Sequence, residues 1–184
     1  MENQSSYYKN LIKKVIDNSE SDIWKSAITE WVIDDVEEDT NQFESCICGK
    51  ENLRYLYTIR NKLSGKFLYP IGSQCIKKFE QDELTNEINV KEQMFKLLHA
   101  VEDNAFLKLS SEFFSRKLLL YLYEQGAFEE TKYNDFDSLQ DYQFMLDMFN
   151  KRVRTDKQDK KATAIILNSL KPFLQAQFAE KVRK

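Results

Sequence analysis

The stretch ESCICGKENLRYLYTIRNKLSGKFLYPIGSQCIKKF, residues 44–79, decides the reading of this chain. Tyr55, Tyr57 and Ile59 fall on one face of RYLYTIR at period two, NKLSG supplies turn residues, and KFLYPIG returns. That alternation predicts a β-hairpin. Cys46-Ile47-Cys48-Gly49 precedes the hairpin and Gly72-Ser73-Gln74-Cys75 follows it, so the ribbon brings its two ends, with their thiols, together. A knuckle with two thiolates, a ribbon, and a third thiolate entering a helix is the layout of a small zinc-binding element. The knuckle needs a tight turn, which Gly49 eases by accepting a positive φ. A helix N-terminus and a metal would both favour the thiolate of Cys75.

Tetrahedral zinc takes four ligands, and the chain has three cysteines. The preferred fourth is His99, the only histidine; Glu44, Glu51 and water are the alternatives. Against His99, its neighbours Phe95, Leu98 and Val101 are apolar, which also suits a packed imidazole. Against the cluster as a whole, a free cysteine often behaves as a small buried hydrophobe, and Cys-x-Cys is less diagnostic than paired Cys-x-x-Cys motifs. An odd number of cysteines, all between 46 and 75, disfavours a disulfide framework.

Outward from this segment, Tyr8, Leu11, Ile12, Val15 and Ile16 recur at helical spacing over Tyr7–Asp17. Ser21–Asp39 reads as a short helix and then a strand entering the acidic DDVEED. Past Cys75, glycine and proline vanish until Gly126, and helices are predicted over Cys75–Gln81, Val90–Val101, Ser110–Tyr123, Leu139–Lys151 and Asp156–Val182. Pro172 should kink or split the last of these. The expected fold is α+β and predominantly α-helical, a single domain over 1–184. Residues 1–80 form an N-terminal α/β region with the zinc-type hairpin, and residues 81–184 a helical bundle.

With 184 residues, 42% of them apolar and 31% charged, the chain can build a core and is not of disordered composition. No signal-type segment and no run of about 18 apolar residues occurs, so a cytoplasmic protein without a membrane span is expected. GxxxxGK[ST], GxGxxG and HExxH are all absent, and a hydrolytic triad would have to share His99 with zinc. No enzyme class gains support.

Net charge is only −3, yet it is segregated: residues 20–45 carry nine acids and one base, and residues 150–184 ten bases and three acids. Two uses compete with plain solvated surfaces that attract each other in the fold. The acids can face a basic partner. Alternatively Lys50, Arg54, Arg60, Lys62, Lys66, Lys77 and Lys78 can contact phosphate, with Tyr55, Tyr57 and Tyr69 stacking on bases, as in a zinc-stabilised nucleic-acid-binding module.

The segment quoted above, followed by VKEQMFKLLHAVEDNAFLKLSSEFFSRKLLLYLYEQGAF, resembles a family of small proteins carried by phages and prophages of streptococci and their relatives, most of them without an assigned role, and its size, acidic balance and zinc-type element are similar to those of zinc-containing anti-CRISPR proteins of such phages. The likeness spans roughly residues 25–175. It implies a non-enzymatic inhibitor, working in the cytoplasm of the infected host, that binds the type II-A CRISPR effector nuclease and blocks loading or recognition of target DNA. It also implies Cys46, Cys48 and Cys75 as metal ligands, with His99 beside them. The expected partner contacts are Glu30, Asp34, Asp35, Glu37, Glu38 and Asp39, since such an effector holds nucleic acid in a positively charged channel that an acidic partner can occupy.

Overall fold

The structure, a computed structural model, describes residues 5–103 and 108–183. The chain divides into two compact units: Met1–Asn89 together with Lys181–Lys184, and Val90–Glu180.

The first unit is built on a four-stranded sheet ordered β3-β2-β1-β4. Helix α1 (Ser6–Ile16) begins at Ser5, whose hydroxyl accepts from the Tyr8 N–H, and buries Leu11 and Val15, two of the positions its apolar spacing marks. A short α2 (Trp24–Ala27) leads into β1 (Trp31–Asp39), which pairs antiparallel with β2 (Tyr55–Asn61), so the expected helix-then-strand order is observed. The predicted hairpin is β2 with β3 (Phe67–Ile71), Tyr57 opposite Ile71 and Arg60 opposite Phe67. Trp31, Leu56, Tyr57, Ile59, Ile71, Ile76, Phe79 and Ile88 are at most 1% exposed and form the core of this unit. Trp24 bridges Tyr8 and Phe79 edge to face, with centroids 6.1 and 5.7 Å away.

Helix α3 (Ser73–Ile76) is shorter than expected. A 3₁₀ turn over Lys77–Phe79 follows and stops at Glu80, whose φ of 54° is left-handed. The chain then enters α4 (Asp82–Glu102), the helix that crosses from the first unit into the second.

The second unit is helical: the remainder of α4, α5 (Arg116–Glu124), α6 (Ser138–Asn150), α7 (Asp156–Ile165) and α8 (Lys171–Phe178). The helix expected from Ser110 starts only at Arg116, because Ser115 is extended and its hydroxyl caps the Leu118 N–H at 3.1 Å. Pro172 splits the last helix as expected. Its missing N–H is accommodated by a π turn over Ile166–Leu170, in which the Lys171 N–H reaches back to the Ile166 carbonyl. Phe95 meets Phe178 edge to face at 5.0 Å, and Tyr123 stacks on Tyr142 at 4.7 Å, within a core that includes Leu98, Leu118, Leu122, Ile166 and Leu174. No helix among the described residues is long and apolar enough to cross a membrane.

Val182, expected at the end of that helix, belongs instead to β4 (Val182–Arg183), which pairs parallel with Glu38 and Asp39 of β1. The basic C-terminal segment thereby meets the acidic stretch. Lys181 pairs with Asp35, Arg183 pairs with Glu37 at 2.6 Å and Glu44 at 3.4 Å, and the Thr40 N–H donates to the Arg183 carbonyl. Attraction within the fold is therefore one real use of the segregated charge.

Glu30 ties β1 to its surroundings. Its buried carboxylate accepts from the Glu20 and Ser21 N–H groups, each at 2.8 Å, and from the Asn61 side chain at 2.6 Å. Asn61 in turn accepts from Leu63 and Ser64 in the hairpin turn. Burial works against the charge of Glu30, but these three donors outweigh it and hold the carboxyl below its ordinary 4.5. A depressed carboxylate stabilises the fold above its unfolded pKa, and that contribution is lost as pH falls through the folded value. Denaturant titrations at a series of pH values should show stability declining on acidification below about 4.5, with a shallower decline in Glu30→Gln. At neutral pH, Glu30→Ala should cost about 2–4 kcal/mol by leaving buried donors unpaired.

Candidate metal centre

The three cysteines come from two places that the hairpin brings together. Cys46 and Cys48 lie in the knuckle before β2, and Cys75 lies in α3 just after β3. In the knuckle the Cys46 N–H donates to the Lys50 carbonyl at 2.8 Å and the Gly49 N–H returns to the Cys46 carbonyl at 2.7 Å. Gly49 has φ of 95°, the left-handed backbone expected of it. The knuckle is held down from two sides: the Ile47 N–H donates to the Pro70 carbonyl at 2.9 Å, and Asn10 of α1 donates to the Cys48 carbonyl at 3.2 Å. Gly72 packs under the Leu53 side chain, since a Cβ there would lie 2.9 Å from Leu53 Cδ2.

The result is a buried triangle of sulfurs. Cys46 Sγ is 3.6 Å from Cys75 Sγ, Cys75 Sγ is 3.4 Å from Cys48 Sγ, and all three thiols are free and within 4.8 Å of one another. Bonds of about 2.3 Å at tetrahedral angles set thiolates on one zinc ion about 3.8 Å apart, close to these separations. The spacing, burial and softness of the donors fit a metal ion. The Cys75 thiol, opposed by burial but joined by the N–H groups of Cys48 and Gly72, pulls Cys46 down to about 5. Cys75, the donor to its neighbour, is pushed up, and burial pushes up Cys48. The Gly72 N–H donates to Cys46 Sγ at 3.4 Å, a hydrogen bond that would hold a ligating thiolate in place.

His99 is not part of this group. It lies on α4 within the second unit, and the described residues supply no fourth donor within the same mutual reach as the sulfurs. Glu44 instead meets Arg183.

The acids expected to face a partner have varied placements. Glu30 is consumed as described. Glu38 has a fully buried side chain paired with Arg54 at 2.8 Å. Asp39 is buried and accepts from the N–H groups of Asn41 and Phe43, which, against the opposing effect of burial, hold its carboxyl below the ordinary range. Asp34, Asp35 and Glu37 are partly exposed and pair with Arg60, Lys181 and Arg183. Of the aromatics considered for base stacking, Tyr57 is fully buried and so is packed core. Tyr69 donates its hydroxyl to Glu37, and burial together with that carboxylate pushes it up to about 12.

Sequence reasoning did not find the reach of Asn10 to the knuckle, 38 residues away, or the closeness of Gly72 to Leu53. Neither has a local signal. Compared with protein-family models, curated proteins and solved structures, the chain matches none.

Cys75→Ser should abolish stoichiometric metal uptake and lower stability by several kcal/mol, because binding energy at a structural site is folding energy. Metal analysis of the purified variant alongside its denaturant midpoint checks both, and full uptake by the variant would contradict the assignment.

Proposed function

We propose that this protein is a zinc-stabilised, non-enzymatic inhibitor that binds a type II-A CRISPR effector nuclease in the cytoplasm of the infected host and blocks loading or recognition of target DNA. The observation that carries the metal half is the buried triangle of Cys46, Cys48 and Cys75, which offers three soft donors at distances a single zinc ion can span. The target half is supported by the resemblance of residues 25–175 to small proteins of streptococcal phages and by the likeness of the chain's size, acidic balance and zinc-type element to those of anti-CRISPR proteins.

The geometry narrows how such an inhibitor would use its acids. Glu30, Glu38 and Asp39 serve the fold, so the contacts fall to Asp34, Asp35 and Glu37 along β1. Each is already paired with a base, so docking on a basic channel exchanges one cation for another and leaves no acid bare. Exchanges of this kind contribute more to encounter and specificity than to raw affinity.

Cleavage of target DNA by a guide-loaded streptococcal type II-A nuclease, preincubated with increasing amounts of the protein, is the test. Dose-dependent loss of cleavage is expected, with at least tenfold weaker inhibition by the Asp34→Lys, Asp35→Lys double variant, roughly 1.4 kcal/mol of interaction. Undiminished cleavage at large molar excess across several such nucleases would overturn the proposal.

A further inference from the structure

A cavity of about 150 Å³ opens beside the sulfur triangle, lined by Cys46 and Cys75 and by Lys50, Asn52, Arg54 and Ser73. It lies wholly within the first unit. At about 30 Å³ for each water, this space holds some five waters, enough for one small ligand or the end of one side chain.

Two facts converge on this cavity. Among the described His, Cys, Asp and Glu residues three ligating atoms gather and no fourth lies within the same mutual reach, whereas zinc held by thiolates is almost always four-coordinate. A small cavity that reaches Cys46 and Cys75, two of the three ligating residues, carries a lysine and an arginine on its wall. A fully closed structural site would have no use for such access.

We infer that the fourth metal position is filled from outside the chain, by an anionic donor of side-chain size, a thiolate or a carboxylate, entering through this cavity past Lys50. The inference rests on the metal reading above and extends it from a closed structural site to one that accepts a ligand. An incoming thiol forms one metal–sulfur bond, gives its proton to the buffer and displaces whatever solvent molecule is bound there. Three thiolates on a divalent ion leave one net negative charge, so a nearby cation eases the entry of a fourth anionic ligand. Lys50 and Arg54 supply that, although Arg54 divides its charge with Glu38. The donor can belong to a small molecule or to a side chain of a bound protein, because both present the same ligating atom.

The test uses the full chain loaded with cobalt(II), whose thiolate charge-transfer and ligand-field bands report the donor set directly. The loaded protein is titrated separately with 2-mercaptoethanol, with acetate, and with the guide-loaded nuclease. A saturable one-to-one response is expected from at least one of them: with the thiol, charge-transfer intensity should rise by about a third as three sulfurs become four. A response to the small probes identifies a free ligand, and a response to the nuclease alone identifies a donor on the partner. Ser73→Trp, which fills the cavity, should remove the response and keep the three-thiolate spectrum. Unchanged bands with all three additions would overturn the inference while leaving the metal centre standing, and an undiminished response in Ser73→Trp would overturn the route of entry. Failure of cobalt to give any thiolate band would remove the metal centre itself, and this inference with it.

Discussion

Three sulfur atoms meeting in one buried place constrain the first unit more than any other contact. Cys46 and Cys48 fix the segment before β2, and Cys75 fixes the turn of helix after β3, so whatever holds the sulfurs together also closes the hairpin at its open end. The hairpin's other end is closed by Asn61, which caps its own turn and donates to Glu30. Between these two fastenings lies β2, an inner strand with β3 on one side and β1 on the other and with Leu56, Tyr57 and Ile59 fully buried. A three-sulfur cluster with no ion would set partly charged, partly desolvated thiols against one another, and a metal resolves that conflict by taking all three as thiolates.

The acidic stretch has a different logic from the one its composition suggests. Alternation along β1 is broken by an irregularity between Ile33 and Asp35, after which Val36, Glu38 and Asp39 are all buried. Buried carboxylates are tolerated only when donors surround them, and here the donors are local N–H groups and Arg54, while the returning C-terminal strand pairs with the backbone beside them. The sheet is thus completed by a segment that sequence periodicity assigns to a helix. Its basic residues are drawn to β1 by charge as well as by backbone pairing.

What was legible from sequence follows from range. The hairpin, α1, the short α2 before β1 and the split at Pro172 all rest on spacing within one element, and each is observed. So does the gathering of the three cysteines, because a hairpin between them leaves little choice. The late start of α5 at Arg116 was missed because Ser115 wins as a cap over residues whose apolar spacing continues upstream. The fate of Val182 was missed because its strand partner lies more than 140 residues away. His99 is suggested by ligand arithmetic alone, and the group of ligating atoms that the fold gathers consists of the three sulfurs. The burial of Glu30 and Glu38 likewise depends on Asn61 and Arg54, partners that no local pattern announces.

The central claim, that Cys46, Cys48 and Cys75 together hold one zinc ion, is tested most directly by zinc-edge X-ray absorption on the protein as purified, with total zinc counted per chain. The account predicts one zinc per chain with a shell of three sulfurs at about 2.3 Å and one further donor. A chain that carries no zinc even after reconstitution, or zinc surrounded by nitrogen and oxygen without sulfur, would contradict it.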